Sequence, residues 1–456
     1  MSLNQAKYCI MTFGCQMNHS DSERLSSLLE SYGLKPTETM EEAEIVIFNT
    51  CSIKQRAEDK VLGQMKKIAK MKEKNPKVKL GITGCMTRIT SSRNSRTKDE
   101  LFKLVPHLDI CFPIKDLPKV SGLLKEVDES FAELEQKEAD LGNYFQIAPK
   151  YKTAFQAYLP IMTGCDKFCT YCIVPYSRGR EISRTIDEVY SEACKIVENG
   201  GIEITLLGQN VNSYGLSWSD KKSGNFNYDT PPFVQLIKKL DSIEGLQRLR
   251  FTSPHPQDMT NDVVDAINDL DTLMPYIHLP LQSGSDKILK KMNRNYDTAK
   301  FRSIVEYIRE KMPDCAISTD MIVGFCGETE QDFQETYDFF KEMCFDLAFI
   351  SQYSERNGTV AGLLKKDDVE IDVKKARFHK LNDLLRETSL IKNKYFEGKT
   401  AKVLVERRSK RLNKLLGRTE HFKEVIFDGD DSLIGNIVDV KIESSQEWRL
   451  IGSLIN

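Results

Sequence analysis

The sequence predicts an α/β protein in three parts. These are an N-terminal open parallel α/β domain over residues 5–123, a central partial (β/α)6 barrel over 151–388, and a small C-terminal β-barrel over 391–455; residues 124–150 form a linker. Three observations lead to this reading. Short apolar runs alternate with amphipathic helical patterns through most of the chain, as in parallel sheets with right-handed crossovers. Cysteines recur just past the ends of the predicted strands, where open α/β sheets bind ligands. After residue 391 the pattern changes to short β runs broken by glycines.

In the first part, Tyr8 to Thr12 reads as a strand ending at Gly14-Cys15, and Ser20 and Asp21 are candidate N-caps for a helix through Leu25, Leu28 and Leu29. Ile45 to Phe48 is a buried strand ending at Asn49-Thr50-Cys51. A charged helix over 54–74 and a third strand, Val78 to Thr83, then lead to Gly84-Cys85. Cys15, Cys51 and Cys85 are therefore expected to converge in one crevice, whereas Cys9 and Cys111 read as ordinary buried residues. The charged stretch Lys125 to Asp140 reads as a solvated linker. The run Thr87 to Lys98, with Arg88, Arg93 and Arg96, reads as a mobile loop with RNA contact as the sharper alternative.

The second part opens with a strand over Phe155 to Met162 that delivers Cys165. A capping box at Thr185-Ile186-Asp187-Glu188 then starts a helix to Glu198. Further strands are predicted at Ile202–Leu207, Leu249–Phe251, Tyr276–Leu279, Ala316–Val323 and Leu347–Tyr353, giving six βα units of an open barrel with its site at the strand carboxyl ends. The run Gly164-Cys165-Asp166-Lys167-Phe168-Cys169-Thr170-Tyr171-Cys172 carries three thiols at C-x3-C-x2-C spacing. Three thiolates can hold one cubane iron–sulfur cluster and leave its fourth iron open to a small chelating molecule. Zinc ordinarily takes a fourth ligand and paired C-x2-C knuckles, and the sequence has no second knuckle.

In the third part, β runs at Thr400–Val405, Val425–Phe427 and Ile437–Lys441 are broken by Gly398, Gly417, Gly429 and Gly435. Lys392, Lys394, Lys399, Lys402, Arg407, Arg408, Lys410, Arg411, Lys414 and Arg418 make its first half basic, opposed only by Glu397 and Glu406. That composition suits an RNA platform, although the whole chain carries a net charge of only -2. No apolar run is long enough to span a bilayer, and Met1 to Lys7 lacks the order of a signal peptide. Twelve cysteines in such a chain are expected to be free thiols in a reducing cytoplasm.

The C-x3-C-x2-C triplet with an aromatic residue before its last cysteine resembles the radical S-adenosylmethionine (SAM) superfamily. Together with Cys15, Cys51 and Cys85 and the basic barrel, the chain resembles the radical SAM methylthiotransferases along nearly its whole length. The likeness is carried by Thr12-Phe13-Gly14-Cys15-Gln16-Met17-Asn18, Asn49-Thr50-Cys51-Ser52-Ile53, Gly84-Cys85-Met86, Leu207 to Tyr214, Leu279 to Ser285 and Tyr353-Ser354-Glu355-Arg356. Gly14-Cys15-Gln16-Met17-Asn18 and Gly208 to Asn212 resemble the branch acting on isopentenylated adenosine in tRNA. The other branches, the rivals here, act on threonylcarbamoyladenosine or on an aspartate of a ribosomal protein. A non-catalytic iron–sulfur RNA-binding protein is the rival from another class. Cys326 stands where the family usually has proline, and Asn357 where Arg-Pro-Gly is usual.

The resemblance implies two 4Fe-4S clusters and SAM as cofactors, and a C-terminal TRAM domain. Cys165, Cys169 and Cys172 would hold the cluster that splits SAM into a 5′-deoxyadenosyl radical. Cys15, Cys51 and Cys85 would hold the cluster that carries sulfur. One SAM would methylate that sulfur, and a second would remove hydrogen from carbon 2 of adenine, a position without a leaving group. Tyr171, Gly200, Gly201, Gln209, Gln282 and Gly324 are candidate SAM or adenine contacts, Gly200 and Gly201 reading equally well as a helix C-cap. Implied partners are a tRNA anticodon loop with its base splayed into the pocket, a reductant such as flavodoxin or ferredoxin, and a sulfur-supply protein.

Overall fold

The computed structural model describes residues 6–51, 55–87, 98–128, 131, 143–223 and 228–455. Arg88, Arg93 and Arg96, Ser52-Ile53 and most of the acidic stretch lie outside them.

The N-terminal sheet has strands β1 (Lys7–Phe13), β2 (Lys35–Pro36), β3 (Ile45–Thr50), β4 (Lys79–Gly84) and β5 (Ile110–Cys111), in the order β2-β1-β3-β4-β5. Every pairing is parallel. Strand β3 is central and buried at all six positions, as its unbroken apolar run requires. Helix α1 (Gln16–Ser31) starts earlier than expected. Cys15 is its N-cap, and Ser20 and Asp21 lie inside the helix as buried residues. Cys111 is half-buried, unlike the buried Cys9.

The central domain continues the parallel pattern with β6 (Gln156–Pro160), β9 (Glu203–Leu207), β10 (Arg248–Phe251), β11 (Tyr276–His278), β12 (Ala316–Val323) and β13 (Leu347–Gln352). These form two three-stranded sheets, β10-β9-β6 and β11-β12-β13, linked by the parallel bridge Leu249–Leu273. One large apolar cluster runs through both sheets and their helices, so they share a core as an open partial barrel. The single strand expected over Phe155 to Met162 is broken at Ile161. Met162–Thr163 instead forms β7, antiparallel to β8 (Ile182–Ser183). The capping box forms as expected, with Thr185 and Glu188 bonding reciprocally at the start of helix Ile186–Glu198.

Five strands close the C-terminal barrel: β14 (Thr400–Arg408), β15 (Leu415–Thr419), β16 (Glu424–Phe427), β17 (Ile437–Ser445) and β18 (Leu450–Leu454), in the order β14-β15-β16-β18-β17. Sequence patterning delimited only three of them. Gly417 is no break but the middle of β15, where an added Cβ would stand 2.4 Å from the Leu404 carbonyl oxygen. The basic half is also less bare than its sequence suggests. Lys402 pairs with Asp439, Arg408 with Asp431 and Lys414 with Asp428, acids that later strands and turns fold back onto them.

This small barrel caps the amino ends of the central strands. Arg248 donates to the carbonyls of Arg418 and Lys402, each at 2.9 Å, and Arg250 to those of Glu420 and Thr419, also at 2.9 Å. Tyr276 stacks on Phe422 with centroids 4.6 Å apart, and Lys423 pairs with Asp346 at 2.7 Å. Arg250 also binds Glu203 at 2.9 Å, both residues being buried. Substituting Arg250 by Ala leaves Glu203 and two carbonyls short of a donor. We expect a loss of about 3 kcal/mol in denaturant unfolding, the usual cost of orphaning a buried charge. Unfolding unchanged from the parent would show that the barrel is not fastened in this way.

Candidate functional site: two cysteine triplets facing each other

The parallel register places the first three cysteines in a row. Phe13 pairs with Thr50 and Thr50 with Gly84, so β1, β3 and β4 end level. The ladder runs one residue further, with the Cys51 amide donating to the Phe13 carbonyl at 2.9 Å and the Cys85 amide to the Thr50 carbonyl at 2.7 Å. Cys15 is joined to this row by a pair of buried amides. Asn18 Oδ1 accepts from the Cys15 amide at 3.2 Å, while Asn18 Nδ2 donates to Asn49 Oδ1 at 2.9 Å and to the Thr50 carbonyl at 3.2 Å. Asn49 Nδ2 returns a bond to the Asn18 carbonyl at 2.7 Å. Glycines make room for this clasp. A Cβ on Gly14 would stand 2.1 Å from Asn18 Oδ1, and one on Gly84, at φ +88°, would stand 2.5 Å from Asn49 Oδ1. The three quoted motifs are thus parts of one interlocked turn.

Cys15 is exposed, while Cys51 and Cys85 are buried. The Cys85 thiol is brought down to about 6, first by its hydrogen bond with Cys51 and further by the charge of Arg178, against the cost of burial.

The second triplet lies on the loop after β7. Gly164 has φ +80°, and a Cβ there would stand 2.0 Å from the Arg180 carbonyl oxygen. The loop backbone is held from outside: the Thr170 amide donates to Met292 at 3.0 Å, the Ala361 amide to the Thr170 carbonyl at 2.7 Å, and Asn293 Nδ2 to the Phe168 carbonyl at 3.0 Å. Lys167 is buried against Asp258 at 2.7 Å, and Arg294 Nη1 lies 3.5 Å from Cys169 Sγ. Burial pushes Cys165 up, and burial together with the neighbouring thiols takes Cys172 to about 12. Burial thus favours the neutral thiol at Cys165 and Cys172, and a bound metal centre would displace those protons.

The two triplets face each other across the domain boundary. Cys172 is near enough to Cys85 to feel its charge, and Arg178, just beyond the second triplet, is near Cys85 and Cys15 of the first. Among the described residues no three His, Cys, Asp or Glu side chains are placed to hold a single metal ion. A cubane suits this donor set better than zinc, since it meets each thiolate at a separate iron instead of drawing them onto one ion.

The remaining candidates divide. Tyr171 is half-buried edge-on to Phe325, with centroids 6.4 Å apart, beside Cys169 and Cys172. Gln209 follows β9 at its carboxyl end, and its buried Oε1 has no hydrogen-bond partner. Gln282 follows β11 with a left-handed backbone at φ +76°, uncommon for a residue with a Cβ. Gly200 and Gly201, in contrast, sit at the amino end of β9, the far end from the cysteines. They terminate helix Ile186–Glu198 as its C-cap, Gly200 at φ +91° and the Gly201 amide donating to Ile196 at 2.9 Å, which accounts for both glycines without a ligand. Gly324 follows β12 at the proper end, but Lys374 covers it, with a Cβ there falling 2.3 Å from Lys374 Cγ. Its glycine identity thus has a packing reason. Sequence reasoning missed Arg178, Arg294 and the Lys167–Asp258 pair, whose only signal was a basic run after Cys172 and one lysine inside the triplet.

Three families match in succession. Residues 7–112 match the Uncharacterized protein family UPF0004, 159–340 the Radical SAM superfamily and 394–455 the TRAM domain. A tRNA-2-methylthio-N(6)-dimethylallyladenosine synthase of Clostridium botulinum (strain Alaska E43 / Type E3) is 43% identical over 455 residues, covering 99% of this chain and 96% of the relative. The enzyme of that name from Clostridium perfringens (strain SM101 / Type A) is 40% identical over 458 residues, covering 100% of this chain and 99% of its own. Among solved structures, the radical S-adenosylmethionine methyltransferase TsrM of Kitasatospora setae aligns with TM-score 0.54 at 12% identity, covering 78% of this chain and 75% of that one. The cobalamin-dependent S-adenosylmethionine radical enzyme OxsB aligns with TM-score 0.50 at 11% identity, covering 84% and 57%. At such identities these two show a shared fold and nothing more.

Replacing Asn49 by Ala removes one half of the amide clasp and strands the other. We expect about 1–3 kcal/mol of destabilisation in thermal or denaturant melts, well above the cost of a surface substitution. A change within a few tenths of a kcal/mol would show that the clasp does not order the cysteine row.

Proposed function

Because this chain belongs to the family of the tRNA-2-methylthio-N(6)-dimethylallyladenosine synthases, we propose that it places a methylthio group on carbon 2 of N6-isopentenyladenosine beside a tRNA anticodon, at the expense of two SAM molecules. The observation that carries this reading is the pair of cysteine triplets at strand carboxyl ends in two domains, with Cys172 near enough to Cys85 to feel its charge. Radical chemistry needs one centre for SAM and another for sulfur, and a single base can meet both only if they share a crevice.

In this reading Cys165, Cys169 and Cys172 hold one 4Fe-4S cluster with an iron left for SAM, and Cys15, Cys51 and Cys85 hold a second that carries sulfur. When bound, the first supplies the electron that cleaves SAM, and the second supplies the sulfur. The chain's own residues orient these groups and the substrate. Asn293 and Ala361 fix the triplet loop, and Arg294 sets a positive charge against Cys169. Tyr171, Gln209 and Gln282 line the strand ends where SAM and the base would meet, and the unpartnered Gln209 Oε1 is an acceptor suited to an amino or hydroxyl group. Further partners in this reading are a one-electron reductant of the flavodoxin or ferredoxin type and a protein that restores sulfur. The setting would be the cytoplasm; none of the described helices is long and apolar enough to cross a membrane.

The substrate assignment is tested by competition between tRNAs carrying either precursor. Isopentenyladenosine should be converted in strong preference, because a pocket shaped for a prenyl group leaves a threonylcarbamoyl carboxylate unpaired. Preferred conversion of the threonylcarbamoyl substrate, or equal conversion of unmodified adenosine, would overturn it. The barrel's role is tested by charge and not by truncation, since truncation also strips Arg248 and Arg250 of their acceptors. Lys410 and Arg411 are exposed on the turn between β14 and β15. Reversing both to Glu should weaken tRNA binding and flatten its dependence on log salt by about 1 to 2, with SAM binding unchanged. An unaltered salt slope would remove this turn from the RNA contact.

A further inference from the structure

Arg178 is a cation shared by both halves of the crevice. It follows the short helix Val174–Ser177, which the second triplet leads into, yet its guanidinium reaches into the N-terminal domain. It is 7% exposed, against an Asp21 at 0%, and Arg178 Nη2 donates to Asp21 Oδ2 at 2.5 Å. Asp21 is held in turn by the Tyr144 hydroxyl at 2.8 Å, whose ring lies under the Arg24 guanidinium at 5.3 Å. Asp21 lies on α1 within two turns of its N-cap Cys15, so the pairing brings the guanidinium toward the cysteine row, close enough for its charge to act on Cys85 and Cys15. An arginine is rarely buried unless paired, and one carboxylate suffices to pair it. That its charge also reaches two cysteines of a proposed cluster has no structural need behind it.

We propose that Arg178 is a positioning residue for the Cys15, Cys51 and Cys85 centre: its positive charge, held in place by Asp21, stabilises the added negative charge when that centre is reduced. The inference rests on the reading of those cysteines as cluster ligands. Hydrogen bonds and charges at the ligand sulfurs are established levers on cluster potential. It also means that the loop bearing one triplet sets the electrostatics of the other. Docking of the domains then brings the second centre to its working potential.

The test uses the full chain with Cys165, Cys169 and Cys172 replaced by Ala, reconstituted anaerobically so that only the first triplet can load. Iron analysis comes first, and a chain that binds no cluster sinks the cluster reading and this inference with it. With about four irons bound, the potential is read by EPR-monitored redox titration, and folding by thermal melting. Arg178→Gln should lower the potential by a tenfold change in the reduction equilibrium, about 59 mV for one electron. Arg178→Lys should stay close to the parent, since it keeps the charge. Asp21→Asn should raise the potential, because it leaves the arginine charge unopposed. A merely structural contact would not move the potential in opposite directions for the two partners. If the Gln variant fails to load, the Lys and Asn variants decide the matter: a parent-like potential with Lys and a raised one with Asn supports the proposal. An unchanged or lowered potential in Asp21→Asn, or an unchanged one in a loaded Arg178→Gln, overturns it.

Discussion

Two parallel sheets can present their ligand-binding edges to one substrate only if they are docked carboxyl end to carboxyl end, and the buried Asp21–Arg178 pair is placed to enforce that docking. A buried ion pair adds little net stability over a well-packed apolar contact, because desolvating both charges costs nearly what their attraction returns. Separating the partners while they stay buried is another matter, at about 3–5 kcal/mol. The pair therefore selects an arrangement more than it strengthens one. Its neighbours act in the same sense: Arg24 of α1 reaches Glu192 on helix Ile186–Glu198 at 2.9 Å, and Glu23 accepts from the Lys152 amide at 3.1 Å. One face of α1 thus carries acids and a base that meet the central domain, while its first residues cap the turn that holds Cys15. Cofactor geometry and domain geometry share a single helix.

Strand ends were the most legible part of this chain. Apolar runs that stop at Gly-Cys or Asn-Thr-Cys mark where a parallel strand leaves the sheet, and parallel register then aligns the stops without further information. That is why the convergence of Cys15, Cys51 and Cys85 could be read before any coordinates. Helix starts were less legible. A thiol is an unusual N-cap, so Ser20 and Asp21 looked like better candidates, and the true start became clear only from Asn18 accepting the Cys15 amide at 3.2 Å. Gly200-Gly201 illustrates another limit. A glycine pair between helix and strand suits a helix stop and a ligand loop alike, and only strand direction tells which end of the sheet it occupies. Buried cations were the least legible, since arginine is a surface residue by default. Nothing local to Arg178, Arg248 or Arg250 announces the carbonyls and carboxylates that topology brings to them.

The position of the small barrel constrains the substrate. It is fastened through Arg248, Tyr276 and Asp346 at the amino ends of the central strands and through Arg250 further along β10, whereas the cysteines lie beyond the carboxyl ends. The two are therefore separated by at least the length of the strands, three to eight residues at about 3.3 Å each. In the proposed reading a tRNA would engage both, with its backbone on the barrel and one base turned into the cleft. The internal pairing of the barrel's charges fits such a division. Lys402, Arg408 and Lys414 are partly neutralised by Asp439, Asp431 and Asp428, so the basic residues of the barrel do not act as a uniform positive field. In the proposed reading, phosphate contacts of that kind would orient a long anionic ligand without reading its sequence, and selection would be left to the crevice between the triplets.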